Sequence, residues 1–164
     1  MLWTDDCKSY GINRTGINSV DKSISTSNSL PTFDVVSGSY KDMNNKLLFT
    51  DYDSLVLHKE VLSGNLTLSS TVFVNSISPA GIVFDYKDGN YFYFAIDNTT
   101  HETVLYKVTN GEYIEIERNY ISASYRNDLS FDMIVEIADG KYYCKFFNTM
   151  YFTGDLVNNS NVIG

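Results

Sequence analysis

The sequence predicts an all-β fold, an antiparallel sandwich of two sheets, and three observations carry that prediction. Apolar residues recur with a period of two in several separate segments, as expected of strands with one buried face. Several of these segments meet at Asp-Gly or Asn-Gly pairs, where glycine supplies the positive φ of a tight hairpin turn. Aromatic residues make up 15% of the chain, with 13 Tyr and 10 Phe against only 2 Pro. Such enrichment suits pleated, half-buried surfaces, where flat side chains pack across neighbouring strands. Helix has no comparable support, because no long window repeats apolar residues at three-and-four spacing with caps at both ends.

The first third of the chain holds short signals. Ser39-Tyr40, Lys46 to Phe49 (KLLF) and Leu55 to Leu57 (LVL) predict brief strands that, with segments near both termini, supply one sheet. Between Asp21 and Thr32, DKSISTSNSLPT is polar and Ser-rich, and predicts a linker or a long surface loop. From Leu66 to Val74, LTLSSTVFV sets Leu66, Leu68, Val72 and Val74 on one face and Thr67, Ser69 and Thr71 on the other.

Hairpins follow. Gly81 to Tyr86 (GIVFDY) joins Tyr91 to Asp97 (YFYFAID) through Asp88-Gly89, and Thr103 to Val108 (TVLYKV) joins Glu112 to Glu117 (EYIEIE) through Asn110-Gly111. Leu129 to Ile137 (LSFDMIVEI) joins Lys141 to Phe147 (KYYCKFF) through Asp139-Gly140, and in its first strand Leu129, Phe131, Met133, Val135 and Ile137 alternate strictly. The three hairpins are expected to form a meander whose inner faces need a second sheet to cover them.

At 164 residues the chain has the length of one domain, and 43% hydrophobic content is enough for one sizeable core. The formal net charge of -8 sets it against phosphate backbones and anionic lipid surfaces, so neither nucleic acid nor membrane insertion is expected. An acidic surface also simply keeps a domain soluble. No apolar run is long enough to span a bilayer. The start, MLWTDDCKSY, lacks the basic and apolar regions of a signal peptide, but a module of a longer secreted protein would read the same way.

Two cysteines, Cys7 and Cys144, lie near opposite ends of the chain. Paired, they would close a very long loop worth about 4 to 5 kcal/mol in the chain-entropy model; the other reading is two buried thiols. Sequons at Asn13, Asn65, Asn98 and Asn158 are of the number that an Asn-rich chain produces by chance.

The run GIVFDYKDGNYFYFAIDNTTHETVLYKV, Gly81 to Val108, followed by Asn110-Gly111, resembles the central meander of concanavalin A-like lectin and laminin-G-like sandwich domains. Phe131 to Gly140 (FDMIVEIADG) is similar to a later strand and turn of that class. Phe33-Asp34, Ser37 to Tyr40 and Lys46 to Phe49 look like its usual beginning. The resemblance spans residues 33–164 and implies a jelly-roll sandwich. Its ends depart from the pattern. Such domains close with a segment like Val-Gly-Leu-Trp-Thr and a final strand, whereas this chain stops at Val162-Ile163-Gly164 and carries Leu2-Trp3-Thr4 at its start.

Residues 1–20 therefore resemble closing strands displaced to the N-terminus, with 21–32 bridging to the main sandwich. The other readings are a slice from a tandem array and an ordinary N-terminal extension. Permutation is preferred, because a sandwich lacking its closing strands would expose an edge and part of its core. On that view the expected organisation is a single domain, and Cys7 and Cys144 could come close in space.

Glycosidases of this fold class carry Glu-x-Asp-x-x-Glu on one strand, and no such motif occurs here. The nearest approach is Glu115-Ile116-Glu117, whose spacing of two sets both carboxylates on one strand face, roughly 6.5 to 7 Å apart. A solvated outer face, with Ile114 and Ile116 turned inward, is the preferred reading of that strand. His58 and His101 share no metal-ligand spacing with Cys, Asp or Glu, and there is no nucleophile elbow, phosphate loop or dinucleotide fingerprint. These absences shift weight from enzyme to binder.

Calcium is the ion that the resemblance implies for many members, and oxygen ligands are clustered at Asp51 and Asp53, at Asp85 and Asp88, and at Asp5-Asp6 and Asp97-Asn98. Turn chemistry favours Asp and Asn at the same places. For a ligand, the candidates are Tyr91, Tyr93, Tyr106, Tyr142 and Trp3, because an exposed ring stacks on the C–H face of a sugar while neighbouring polar groups bind its hydroxyls.

The expected function is a non-catalytic carbohydrate-binding or adhesive module of a larger secreted or cell-surface protein, with a glycan as partner. The alternatives are a laminin-G-like module that binds an extracellular protein and, after it, a glycoside hydrolase or lyase.

Overall fold

The computed structural model describes residues 2–5, 19–21, 33–38, 40–43, 46–49, 54–58, 64–73, 79–125 and 130–164. Its strands are Leu2–Asp5 (β1), Ser19–Asp21 (β2), Phe33–Ser37 (β3), Tyr40–Met43 (β4), Lys46–Phe49 (β5), Leu55–His58 (β6) and Leu66–Phe73 (β7). Then follow Ala80–Lys87 (β8), Asn90–Asp97 (β9), Glu102–Thr109 (β10), Glu112–Tyr120 (β11), Ser130–Ala138 (β12), Lys141–Phe146 (β13) and Thr149–Asp155 (β14). A short 3-10 turn at Ala123–Tyr125 lies between β11 and β12.

One sheet has eight strands in the order β14-β13-β12-β7-β2-β5-β4, with β1 also beside β7; a second has four, β11-β10-β9-β8; and β3 pairs with β6. All these pairings are antiparallel except that of β1 with β7. The fold is an all-β, two-sheet antiparallel sandwich.

Two-residue turns set the hairpin registers. Asp88-Gly89, Asn110-Gly111 and Asp139-Gly140 all have positive φ at both residues, between 51° and 81°. They bring Lys87 opposite Asn90, Thr109 opposite Glu112 and Ala138 opposite Lys141. Only a primed turn matches the right-handed twist of the strands it joins, and Gly occupies the second position without steric cost.

A fourth such turn, Phe147-Asn148, with φ of 45° and 67°, produces β14, a strand that the sequence signals do not announce. Phenylalanine is a poor residue for this backbone region. Here the Phe147 N–H donates to the Asp132 carbonyl at 2.9 Å, and its ring meets Phe146 edge to face at 4.9 Å.

The hairpins divide between the sheets, which corrects the expectation of a single meander. β8 to β11 form one sheet, but the β12–β13 hairpin joins the other, with Ser130 to Ile137 pairing along Phe73 to Leu66. The division follows from the apolar faces. Phe131, Met133, Val135 and Ile137 are buried against the inward residues of β8 to β10, such as Ile82, Phe84, Phe94 and Leu105, which a strand added beside β11 could not reach. Phe94 and Phe152 meet edge to face across the sandwich at 5.7 Å, and Tyr142 tilts against Phe84 at 5.3 Å and Phe92 at 5.0 Å. Each fully buried Phe or Leu contributes about 1.5–3 kcal/mol of transfer free energy.

The C-terminal segment is bound to β8 through Asp85. This residue sits in a register break between Phe84 and Lys87, with φ of 55°, and its side chain is buried. Its carboxylate accepts the N–H groups of Val157 at 2.8 Å, Asn158 at 2.9 Å and Ser160 at 2.8 Å. Asn158 in turn donates its amide to the carbonyls of Asp85 and Asn90. Beyond the clamp, Gly164 exchanges two backbone hydrogen bonds with Val83 on β8.

At the N-terminus, β1 and β2 lie along the same edge of β7, β1 opposite Thr67 to Ser70 and β2 opposite Val72 and Phe73. Residues 6–18 and 22–32, which include most of the expected linker, lie outside the described residues.

Candidate functional site

The four-stranded sheet turns one face to the core and the other outward. Along β9, Phe92, Phe94 and Ile96 belong to the core, so the alternate residues Tyr91, Tyr93, Ala95 and Asp97 face away from it. The pairing with β10 sets Val108, Tyr106, Val104 and Glu102 beside them, in that order. The pairing with β11 adds Tyr113, Glu115, Arg118 and Tyr120. The outward face is thus tyrosine at the end nearest the Asn110-Gly111 turn and charged at the other. Ala95, Val104 and Val108 lie at its floor, buried but not part of the core cluster.

The tyrosines pack on one another. Tyr93 stacks on Tyr106 at 6.0 Å, and Tyr113 stands edge-on to both, at 6.4 Å and 6.0 Å. Tyr86 stacks on Tyr91 at 5.6 Å, and the Tyr91 and Tyr113 hydroxyls are 3.3 Å apart. Rings this close fill the space between them, so they make a platform for a flat apolar surface instead of a cage around a cation. The Tyr93 hydroxyl donates to the Pro79 carbonyl at 2.9 Å. Burial pushes the phenols of Tyr91, Tyr93 and Tyr106 above the usual tyrosine value, helped at Tyr91 by its bond to Tyr113, so they remain protonated hydrogen-bond donors. Tyr113 is 57% exposed and offers the most open ring of the group.

Beside the platform, Arg118 gathers three carboxylates. Its Nε and Nη2 donate to the two oxygens of Glu115, both at 3.0 Å, in the two-pronged geometry that guanidinium favours. Nη1 donates to Glu102 and, at 3.2 Å, to Thr100 Oγ1, and lies 3.5 Å from Asp97. Asp97 is fixed from its other oxygen by the N–H groups of Thr99 and Thr100. The hydrogen bonds from Arg118 hold the Glu115 carboxyl below its usual range, and those to Glu115 and Glu102 keep the guanidinium charged.

Of the ligand residues predicted from sequence, Tyr91, Tyr93 and Tyr106 come together on this face. Tyr142 does not. It points into the core with Cys144 and Phe146, its strand neighbours two and four residues on, and is only 5% exposed. Its removal from the candidate ligand residues is a correction, and the alternation of KYYCKF is the physical reason. Trp3 lies on β1 opposite Leu68; its side chain is outside what is described.

Asp85 is a clamp for backbone amides, with both oxygens occupied, which corrects its assignment as an ion ligand. Asp88 is an exposed turn residue. Asp51, Asp53 and Cys7 lie outside the described residues, among which no group of three or more His, Cys, Asp or Glu is arranged to hold a metal. Cys144 is a free thiol, fully buried, and burial pushes its pKa up.

Glu115 and Glu117 are also corrected. Leu105 pairs with Glu117 but Tyr106 with Glu115, so Ile116 is an unmatched bulge and the two carboxylates point to opposite faces. Ile114 and Ile116, expected inward, are 45% and 48% exposed because β11 is an edge strand.

Tyr113, Arg118 and Glu102 are the members of the face that sequence reasoning missed. The turn at Asn110-Gly111 would have placed Tyr113 opposite Val108 by counting outward from the hairpin. Arg118 lies beyond the bulge, where counting fails.

No protein-family model and no curated protein sequence matches the chain. Among solved structures, it is similar to the carbohydrate-binding module CBM66 from Bacillus subtilis, with a TM-score of 0.63 over 79% of this chain and 82% of that one. Sequence identity is 14%. What the two share is the sandwich fold.

Proposed function

We propose that the chain is a non-catalytic carbohydrate-binding module that seats a sugar on the outward face of β8 to β11. The observation that carries this reading is the tyrosine platform of Tyr91, Tyr93, Tyr106 and Tyr113 lying directly beside the carboxylates held by Arg118. A sugar has an apolar face for the rings and a rim of hydroxyls for the carboxylates, and the two surfaces adjoin here in that arrangement. The likeness to a carbohydrate-binding module of the same fold supports it. The proposal extends to the concanavalin A-like class and to a place in a larger secreted or surface protein. Catalysis loses its best pair with Glu115 and Glu117 on opposite faces and Glu115 tied to Arg118.

A second reading, a protein-binding module, is supported by the apolar exposure along the β11 edge at Tyr113, Ile114, Ile116 and Tyr120. A glycan array separates the two. The expected result is saturable binding by the native chain and a loss of at least about tenfold, or 1.4 kcal/mol, in Tyr113→Ala with its melting temperature little changed. Silence across the array would overturn the carbohydrate reading. Binding abolished by chelator would point to a bound calcium ion, with Asp51 and Asp53 the first candidates for its ligands.

A further inference from the structure

We infer that this face selects uncharged glycans and rejects uronate-bearing, sialylated and sulfated ones, an inference that rests on the carbohydrate-binding reading. Three carboxylates, Asp97, Glu102 and Glu115, surround one guanidinium, which leaves the cluster a formal charge of -2. Arg118 is the residue that would ordinarily receive an anionic sugar. Here four of its five N–H groups are already committed, two to Glu115, one to Glu102 and one to Thr100. Lys107, the other cation of β10 and β11, registers with Phe92 and Ile114 on the opposite face.

The ligand therefore meets acceptors. A carboxylate has about four lone-pair sites. Those of Glu115, 45% exposed and bonded by Arg118, are open to a ligand, whereas Asp97, also bonded by Thr99 and Thr100, and Glu102 are 15% and 11% exposed and act through their charge. Sugar hydroxyls can donate to those sites, and vicinal hydroxyls can donate in pairs. A carboxylate or sulfate on the ligand has only acceptors to offer, and bringing like charges together costs several kcal/mol, of the order of 10²-fold or more in affinity. At longer range the chain's net charge of -8 acts in the same direction.

The test is titration calorimetry of the native chain against matched polymers: mannan with alginate, galactan with polygalacturonate, dextran with dextran sulfate. In every pair with a binding member, the neutral polymer is expected to bind at least about tenfold more tightly at low ionic strength. The gap is expected to narrow in about 1 M NaCl, where the Debye length falls to about 3 Å, and to narrow in Glu102→Gln and Glu115→Gln, with folding checked by thermal melting. An acidic polymer that binds as tightly as its neutral counterpart, or more tightly, would overturn the selectivity and leave the carbohydrate reading standing. A gap that neither substitution alters would overturn its assignment to these carboxylates. No binding to any of the six polymers or to the glycan array would overturn both readings together.

Discussion

The two faces of the β8–β11 sheet share one backbone and differ by a single step along each strand. On one face Ile82, Phe84, Phe92, Phe94 and Leu105 are closed off by the facing sheet. On the other, Tyr91, Tyr93, Tyr106 and Tyr113 pack sideways on one another and leave their outer surfaces for a partner. The inner face is determined by volume, since every side chain has fixed neighbours above it. The outer face is determined by order along the rows: Tyr91, Tyr93, Tyr106 and Tyr113 together at one end, and Asp97, Glu102 and Arg118 with Tyr120 at the other. Side chains on the first therefore govern stability, and side chains on the second are those that the proposed function assigns to recognition.

The largest effect that tests this division is Phe94→Ala, expected to cost about 3–5 kcal/mol in denaturant unfolding because the ring has no exposed surface and leaves a cavity against Phe152. A cost below 1 kcal/mol would mean that the inner face is not sealed. Asp85→Ala comes next. It leaves three backbone N–H groups without their acceptor and should cost about 2–4 kcal/mol, with hydrogen exchange accelerated at Val157, Asn158 and Ser160 ahead of the core strands. Uniform exchange across the chain would show that the clamp is not a separate unit.

The smallest effect lies on the outer face. Because Arg118 lowers the pKa of Glu115, that carboxylate stabilises the fold above its unfolded value of about 4.3, and the stabilisation is lost as pH falls through the lower folded value. Glu115 is exposed, so the difference in stability between the native chain and Glu115→Gln should stay below about 1 kcal/mol at neutral pH and vanish in acid. A difference that grows on acidification would break the assignment.

Much of the fold was legible in local sequence. Asp-Gly and Asn-Gly pairs gave three turns because the backbone region they need is nearly closed to other residues, and strict alternation gave the buried faces of β7 and β12. The fourth turn was not legible, since Phe147 occupies a conformation that tertiary contacts impose on it. Pairing between distant strands was equally hidden: nothing near Phe131 states that its neighbour is Val72.

For the site, alternation correctly grouped Tyr91 with Tyr93, and the same rule, applied to Tyr142 with Cys144 and Phe146, would have sent Tyr142 inward. Glu115 and Glu117 were misplaced because a bulge resets the period without leaving a mark in composition.

That bulge has a consequence for how such a surface can change over evolutionary time. Ile116 has no counterpart on β10, and setting it aside in a bulge keeps every later residue of the strand on its present side. A lineage that kept Ile116 but paired it regularly with Leu105 would turn Arg118 and Tyr120 toward the facing sheet and bring Glu117 and Asn119 outward, with every letter unaltered. Which side chains β11 presents outward is set partly by its pairing with β10. Superposing this strand on a sandwich that lacks the bulge therefore requires a gap at that position.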